Sequence, residues 1–274
     1  MNQEHAMCVD LDDLGASWSE NGYRRRLRYV ADRETEMVLD SFDEHQIRST
    51  FFVPGAVTKH SPGIITKIQS RGHDIASHGT THCKIEKYRP SEFFEDIRRS
   101  KSELEDLSGG EVDTYKAPMW SITPRCPWAY DILLEAGFKI DHSIQPKMKK
   151  YLGESASRQR PFRYREQLLI IPPTTLHLLG VDLRFCGGAY NARIPGPLQK
   201  WAYGRLAATK IPFNYYFHPY EHSPVDHNLK WYKGGLRVSL YANHCGKYKH
   251  HIAYLSRHFQ FVSLKRAYAR FIHD

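Results

Sequence analysis

The chain alternates short apolar runs with longer amphipathic segments along its whole length, and glycine or proline separates most of them. The runs of strand length are residues 6–10, 49–53, 74–77, 112–116, 138–141, 168–171, 213–217 and 259–263. The segments of helical character are residues 32–45, 61–72, 91–109, 123–137, 198–209, 249–256 and 264–271. Strands that alternate regularly with helices are typical of parallel β-α units, so the sequence predicts an α/β barrel or a doubly wound sheet.

A chain of 274 residues fits one α/β domain, and no internal repeat, low-complexity segment or linker divides it. Its 41% hydrophobic and 25% charged residues are ordinary for a globular protein and exclude general disorder. We therefore expect a single domain over residues 1–274.

The net charge of +9 favours anionic partners such as phosphates, acidic sugars, nucleic acid or a membrane surface. The basic residues are scattered, however, and cluster only at residues 24–26 and 147–150, with no nucleic-acid-binding motif beside them. We expect no nucleic-acid partner. No apolar run is long enough to cross a bilayer, which leaves a peripheral membrane contact as the alternative.

The five cysteines are odd in number and widely spaced, and none forms a Cys-x-x-Cys pair. This pattern favours a reducing compartment over a disulfide framework. Residues 1–5 also lack the basic and apolar character of a signal peptide. Together these features predict a cytoplasmic protein.

His78 and His82 are four residues apart, a spacing that lets two imidazoles share one face of a helical turn and reach one divalent ion. Sixteen histidines in one chain will produce such a spacing by chance. Gly79 also stands where the His-Glu-x-x-His zinc-protease motif places its glutamate. A metal site would therefore need a third ligand from elsewhere in the chain.

Polar residues collect at the carboxyl ends of the predicted strands, where barrels built from β-α units have their active sites. Taken singly, an aspartate after a strand is usually a turn residue or helix cap, and a lone histidine is usually a surface or core residue. Together they supply metal ligands, a carboxylate and a proton donor, as a hydrolytic metal site requires. The set is Asp10, Asp12, Asp13, His78, His82, Lys116, Asp141 and His218.

Several ordered motifs resemble those of one enzyme family. They are residues 8–13, 50–53, 72–78, 115–118 with 121–123, 137–144 and 217–221, and residues 171–175 and 187–190 add to them. On these motifs the chain resembles the NodB-homology polysaccharide deacetylases (carbohydrate esterase family 4), in particular the cytoplasmic branch associated with exopolysaccharide and O-antigen synthesis.

The resemblance implies a distorted (β/α) barrel of about seven parallel strands and hydrolysis of the N-acetyl amide of an amino sugar in bacterial surface-polysaccharide synthesis. The sugar could be nucleotide-linked, lipid-linked or oligomeric, and the basic residues 147–150 could meet a diphosphate. The implied cofactor is a divalent metal, with zinc as the expected ion.

The resemblance also assigns roles to individual residues. Asp10 would be the general base, His78 and His82 would hold the metal, and His218 would be the general acid. Asp141 would orient His218, and a carboxylate beside a histidine favours its charged form and raises its pKa.

The sequence leaves two candidates for the aspartate that completes the metal site. The family has adjacent aspartates, whereas here Leu11 separates Asp10 from Asp12, and Asp13 follows. Residues i and i+2 of an extended segment face the same way, so we favour Asp12 and keep Asp13 as the alternative.

Lys116 stands where the family normally has an arginine paired with the base. Lysine keeps the charge but loses the bidentate fork, so we expect Asp10 to be held less rigidly. A backbone N–H near Met119 would help the metal stabilise the oxyanion, while Trp120 alters the sugar-facing wall and Tyr220 offers a flat face for stacking.

Two other functions remain open from the sequence. One keeps the barrel and changes the substrate to a non-sugar amide or cyclic ureide, as in allantoinase-like relatives. The other is a catalytically weakened carbohydrate-binding relative, for which Lys116 would be one sign.

Overall fold

The computed structural model describes residues 3–12, 27–144, 160–178, 181–187, 191, 194–222 and 247–273. The strands are β1 (Glu4–Asp10), β2 (Thr50–Val53), β3 (Asp74–Ser77), β4 (Thr114–Tyr115), β5 (Ile140–Asp141), β6 (Phe162–Tyr164), β7 (Leu168–Ile170), β8 (Thr175–Leu178), β9 (Val181–Arg184), β10 (Asn214–Phe217) and β11 (Gln260–Val262). The helices are α1 (Leu27–Glu44), α2 (Gly55–His60), α3 (Gly63–Ser70), α4 (Pro90–Ser108), α5 (Ala129–Glu135), α6 (Gly196–Ala207), α7 (Pro219–His222), α8 (Lys247–His258), α9 (Leu264–Ala267) and α10 (Ala269–His273).

Nine strands form one curled sheet in the order β10-β1-β2-β3-β4-β5-β7-β6, and β11 also pairs with β1. The pairs along this path are parallel except β6 with β7, which is antiparallel. Strands β8 and β9 form a separate antiparallel hairpin. The predicted α/β class and distorted, mostly parallel barrel are confirmed, with the sheet forming a half-barrel.

Strand β1 is buried on both faces, as expected of a central strand in a parallel sheet. Met7 and Val9 pack into the outer apolar cluster, together with residues of α1, α3 and α8. Ala6 and Cys8 pack into the inner cluster on the concave side. Because side chains alternate along a strand, Asp10 falls on the same inner face as Ala6 and Cys8.

Helix α4 covers the outside of the sheet next to β3 and is well defined at both ends. Pro90 occupies its first turn, and the Arg89 backbone N–H donates to the Glu92 carboxylate at 2.8 Å. Gly109 ends it in the left-handed conformation, with φ of 68°. The position of α4 matters below because its second turn contacts the loop after β3.

Some elements were not predicted from the sequence, namely β6, the β8–β9 hairpin and α2. Strand β6 has three half-buried residues, too few to show an alternating pattern. The sheet takes strands from both halves of the chain, while the single-domain count stays a prediction. Within the described ranges no helix is both long enough and apolar enough to span a membrane.

Candidate active site

Asp12, His78 and His82 meet at the carboxyl ends of β1 and β3. Their nearest nitrogen and oxygen atoms all lie within 4.8 Å of one another. Nε2 of His82 lies 3.2 Å from Oδ2 of Asp12, and Nε2 of His78 lies 3.6 Å from Oδ1 of the same carboxylate. The three side chains are at most 8% exposed. The structure thus brings both histidines to Asp12, while Asp13 lies outside the described residues.

The protonation of His78 indicates which of its nitrogens can bind a cation. Nδ1 of His78 lies 2.7 Å from the Lys116 carbonyl, which can only accept, so this nitrogen carries the proton. Burial lowers the pKa of His78 to about 4, which keeps the ring neutral. Nε2 therefore presents a lone pair to the Asp12 carboxylate. Two acceptors that face each other in a buried site call for a cation between them, and two imidazoles with one carboxylate are a ligand set that zinc hydrolases use.

The charges of Asp12 and His82 support each other. Burial alone would raise the pKa of Asp12, but the charge and hydrogen bond of His82, with the charge of His218, lower it well below its usual range. Burial would likewise lower the pKa of His82, and Asp12 raises it instead. The residues present therefore fit a divalent cation, which would take the place of the His82 proton.

Asp10 and Lys116 form a second buried pair beside this cluster. Nζ of Lys116 lies 2.6 Å from each carboxylate oxygen of Asp10, and the two side chains are 1% and 6% exposed. Three rings surround the ammonium: those of Trp120 and Tyr216 have centroids 4.4 Å away, and that of Phe52 is 5.2 Å away. A compact ammonium fits between the three rings, and its attraction to their faces stabilises Lys116 beside Asp10. These contacts take the place of the bidentate hydrogen bonds that an arginine would make.

His218 lies on the far side of Asp12 and is held by Glu221. Its Nε2 is 3.7 Å from Oδ2 of Asp12, and its Nδ1 is 3.1 Å from Oε2 of Glu221. Tyr220 stacks on the imidazole, with ring centroids 4.9 Å apart. Burial would lower the pKa of His218, but the charge and hydrogen bond of Glu221, with contributions from Asp12 and Asp10, raise it to about 9. A cation bound at Asp12 would oppose part of this rise.

The expected pairing of Asp141 with His218 is wrong in this structure, since Glu221 takes that place. The Asp141 carboxylate accepts from the backbone N–H of Ser143 at 3.0 Å and from the Ser143 hydroxyl. The Ser143 oxygen in turn accepts from the Ala117 N–H at 2.7 Å. Burial raises the pKa of Asp141 to about 7, and the bonds from Ser143 offset part of the rise. Asp141 thus supports the backbone next to Lys116.

The alternation of side chains along β5 explains why Asp141 does not pair with His218. Ile140 packs into the inner cluster, so Asp141 must face outward, opposite Tyr115 of the neighbouring strand. His142 faces inward in its place. It is fully buried, stacks on Phe52 at 5.9 Å and lies against the edge of Trp120 at 5.0 Å.

His142 and Glu221 are the two site residues that sequence reasoning missed. The Nδ1 of His142 donates to the Ile171 carbonyl at 2.8 Å, and burial, with the charge of Lys116, lowers its pKa to about 3. Its Nε2 therefore carries a lone pair, and no donor reaches it among the described residues. Glu221 was part of a matched motif, but only its place in the short helix α7 shows that it reaches back to His218.

The rim of the site is formed by Met119 and Trp120. Both have positive φ, 55° and 54°, in a short turn after Pro118. Two consecutive non-glycine residues in the left-handed region are strained, and such strain tends to occur at functional sites. Met119 is 43% exposed, while Trp120 covers Lys116 and His142. The oxyanion role of the Met119 N–H stays a prediction, as does the role of the basic residues 147–150, which lie outside the described residues.

Residues 22–138 match the family model described as polysaccharide deacetylase, and residues 142–269 match a model described as a domain of unknown function (DUF3473). The peptidoglycan-N-acetylglucosamine deacetylase of Bacillus cereus is 22% identical over 125 residues, which are 44% of this chain and 46% of that protein. The chitooligosaccharide deacetylase of Bradyrhizobium sp. is 25% identical over 117 residues, 41% of this chain and 51% of that protein. The chain therefore spans about half the length of these curated relatives.

Among solved structures, a putative polysaccharide deacetylase from Mycobacterium smegmatis superposes with a TM-score of 0.64. The superposition covers 98% of this chain and 89% of that one, at 17% sequence identity. At this identity the likeness concerns the fold, and it extends over both matched parts of the sequence.

Proposed function

We propose that this chain belongs to the polysaccharide deacetylase family, whose model residues 22–138 match, and is a divalent-metal-dependent hydrolase that removes the acetyl group from an N-acetylated amino sugar. The observation that carries the proposal is the buried pair of acceptors, Nε2 of His78 facing the carboxylate of Asp12. A proton acceptor, Asp10, and a proton donor, His218, adjoin it on either side.

The chemistry divides among the chain's own residues. A divalent ion held by Asp12, His78 and His82 would polarise the acetyl carbonyl and acidify a water molecule. Asp10 takes the proton of the attacking water, and Lys116 keeps both oxygens of that carboxylate oriented.

His218 completes the reaction at the leaving group. As the C–N bond breaks, the leaving nitrogen gains a proton from Nε2 of His218, and the products are acetate and the free amine. Glu221 fixes the other ring nitrogen, so only Nε2 is directed towards the metal ligands. The ring therefore needs no rotation to serve as the acid, which is the geometric support for this role.

A sugar substrate is supported by the named relatives, which act on peptidoglycan N-acetylglucosamine and on chitooligosaccharides. The net charge of +9 favours an anionic carrier on the sugar, such as a nucleotide diphosphate or lipid diphosphate. We further propose action in the cytoplasm during surface-polysaccharide synthesis. The four cysteines within the described residues are free thiols, which is consistent with a reducing compartment.

The test is acetate release by zinc-loaded protein from a panel of free, oligomeric and nucleotide-linked N-acetyl sugars, with a cyclic ureide as the competing substrate class. We expect release from at least one sugar, and a loss of about 100-fold or more in His78→Ala. His250→Ala, which changes an exposed histidine on α8, is the matched control and should retain full activity. Turnover of the ureide with no acetate from any sugar would contradict the proposal.

A further inference from the structure

The loop that carries the two histidines has an unfavourable backbone. After β3, Gly79 turns with φ of 77°, and three residues later His82 has φ of 52°. Glycine adopts this region freely, but a left-handed histidine is strained because its Cβ crowds the backbone. Such a conformation persists only where surrounding contacts hold it.

The contacts that hold it come from Asp96, in the second turn of α4. The backbone N–H of Thr80 donates to Oδ2 of Asp96 at 2.9 Å, and the N–H of Thr81 donates to Oδ1 at 3.1 Å. The Thr80 hydroxyl donates to the Asp96 carbonyl at 2.7 Å. One carboxylate thus takes both amides between the two left-handed residues, in charge-assisted hydrogen bonds.

The opposite side of the loop packs closely against the start of α2. The Gly55 N–H donates to the Gly79 carbonyl at 2.9 Å. A Cβ on Gly55 would lie 2.9 Å from the Thr80 backbone, and a Cβ on Gly79 would lie 3.0 Å from Oδ2 of Asp96. The loop is therefore clamped between the start of α2 and the side of α4.

We propose that Asp96 is a positioning residue that sets the separation of His78 and His82 for a divalent cation. This inference rests on the proposed function for the identity of the bound group. The two imidazole centroids are 5.0 Å apart, and the backbone of residues 79–81 sets where His82 stands relative to His78. If both amides lose their acceptor, the turn can relax out of the left-handed region, which would carry His82 away from Asp12.

The surroundings of Asp96 allow a clean substitution. The residue is half-buried and lines an open groove of about 540 Å³ on the outside of the sheet, together with Thr80, Thr81 and Glu95. A change there exposes the loop to water without opening the apolar core. Glu95, exposed and one residue earlier in the same groove, provides the matched control.

The first measurement is zinc affinity, by competition with a chromogenic chelator, for wild type, Asp96→Ala, Asp96→Asn and Glu95→Gln. Loss of a group that supports metal ligands typically weakens binding by about 10- to 100-fold, which we expect for Asp96→Ala. The zinc affinity of Asp96→Asn should lie between those of wild type and Asp96→Ala. The one carbonyl oxygen of asparagine can still accept a hydrogen bond from one of the two backbone N–H groups. If Asp96→Ala does not fold, the zinc affinity of Asp96→Asn tests the inference instead. Glu95→Gln should bind as wild type does.

The second measurement is amide hydrogen exchange at Thr80 and Thr81 in zinc-free protein with chelator present. We expect faster exchange in Asp96→Ala than in wild type or Glu95→Gln. Unchanged exchange, or wild-type zinc affinity in folded Asp96→Ala, would overturn the inference. If wild type itself bound no zinc, the proposed function would fail, while the exchange rates would still decide whether Asp96 holds the turn.

Discussion

Two buried charge clusters lie side by side at the end of β1, and they are neutralised in different ways. Asp10 is paired with Lys116, which sits in a cage of three aromatic rings. Asp12, two residues further and on the same face, is approached by the imidazoles of His78, His82 and His218, and His78 turns a lone pair towards it. The positive charge of the first cluster is a lysine of the chain, whereas the second offers a carboxylate and an imidazole lone pair that we propose bind a cation from solution.

The two aspartates at the end of β1 therefore differ in the source of the positive charge that stabilises them. A buried carboxylate is costly unless a positive charge and hydrogen bonds compensate it. The Asp10–Lys116 pair is compensated within the chain, so it should resist removal of metal. The Asp12 cluster should instead gain stability when a cation binds. The close contacts of Lys116 also argue against treating this lysine as a sign of lost activity.

The largest effect should follow from removing the internal cation. Lys116→Met leaves Asp10 buried without its partner, which typically costs about 3–5 kcal/mol in the free energy of unfolding. Urea denaturation of zinc-free protein would measure it. The control is Lys139→Met, which removes an exposed pair with Glu111 and should cost less than about 1 kcal/mol. Equal losses of unfolding free energy in Lys116→Met and Lys139→Met would show that the buried Asp10–Lys116 pair matters no more for stability than an exposed ion pair.

The next effect concerns the cation from solution. Zinc at about 100 times its dissociation constant should stabilise the wild type by about 2.7 kcal/mol, seen as a higher melting temperature. His78→Ala should lose this gain because the facing acceptors are gone, while His250→Ala should keep it. A zinc-induced shift that survives in His78→Ala would place the ion elsewhere in the protein.

A third buried carboxylate, Asp141, differs from both because the hydrogen bonds that it accepts within the described residues come from Ser143. The pKa of Asp141 is about 7 against an ordinary 3.8, so the unfolded chain releases this proton at lower pH than the folded protein. The stability that neutral Asp141 contributes is full below about pH 3.8 and is lost as the pH rises through about 7.

Asp141→Asn should remove this dependence. Between about pH 5 and about pH 6.5 the wild type should lose about 2 kcal/mol relative to the variant, since one proton is worth about 1.4 kcal/mol per pH unit. Buried histidines act in the opposite direction in both proteins, so the difference between their urea-denaturation curves isolates Asp141. Parallel pH profiles would show that Asp141 is ionised in the folded state.

The smallest effect tests the corrected partner of His218. Glu221→Gln weakens the hydrogen bond between residue 221 and Nδ1 of His218. We expect kcat for acetate release to fall about tenfold, which corresponds to roughly 1.4 kcal/mol, with KM little changed. Asp141→Asn serves as the matched comparison and should change kcat far less, because Asp141 bonds to Ser143. A larger loss in Asp141→Asn than in Glu221→Gln would restore the original assignment.

The parts of the site that follow from local sequence were predictable. The alternation along β1 placed Asp10 and Asp12 on one face, and the end of β3 placed His78 beside them. Both expectations needed only the period of a strand and the rule that parallel strands end at one edge.

The remaining parts depend on contacts between distant segments. The rings around Lys116 come from β2, from β10 and from the strained turn at Trp120, and no local pattern joins them. Glu221 reaches His218 because a short helix begins at Pro219. The pairing of Asp141 with His218 was implied by the family resemblance alone, and the short strand β5 turns Asp141 to the opposite face from Ile140.

The binding of one divalent cation by Asp12, His78 and His82 can be tested with crystals of zinc-loaded protein, by anomalous diffraction measured on both sides of the zinc absorption edge. We expect one strong peak per chain, about 2.0–2.2 Å from Nε2 of each histidine and from a carboxylate oxygen of Asp12. A peak bound by other residues, or no peak at these three, would contradict it.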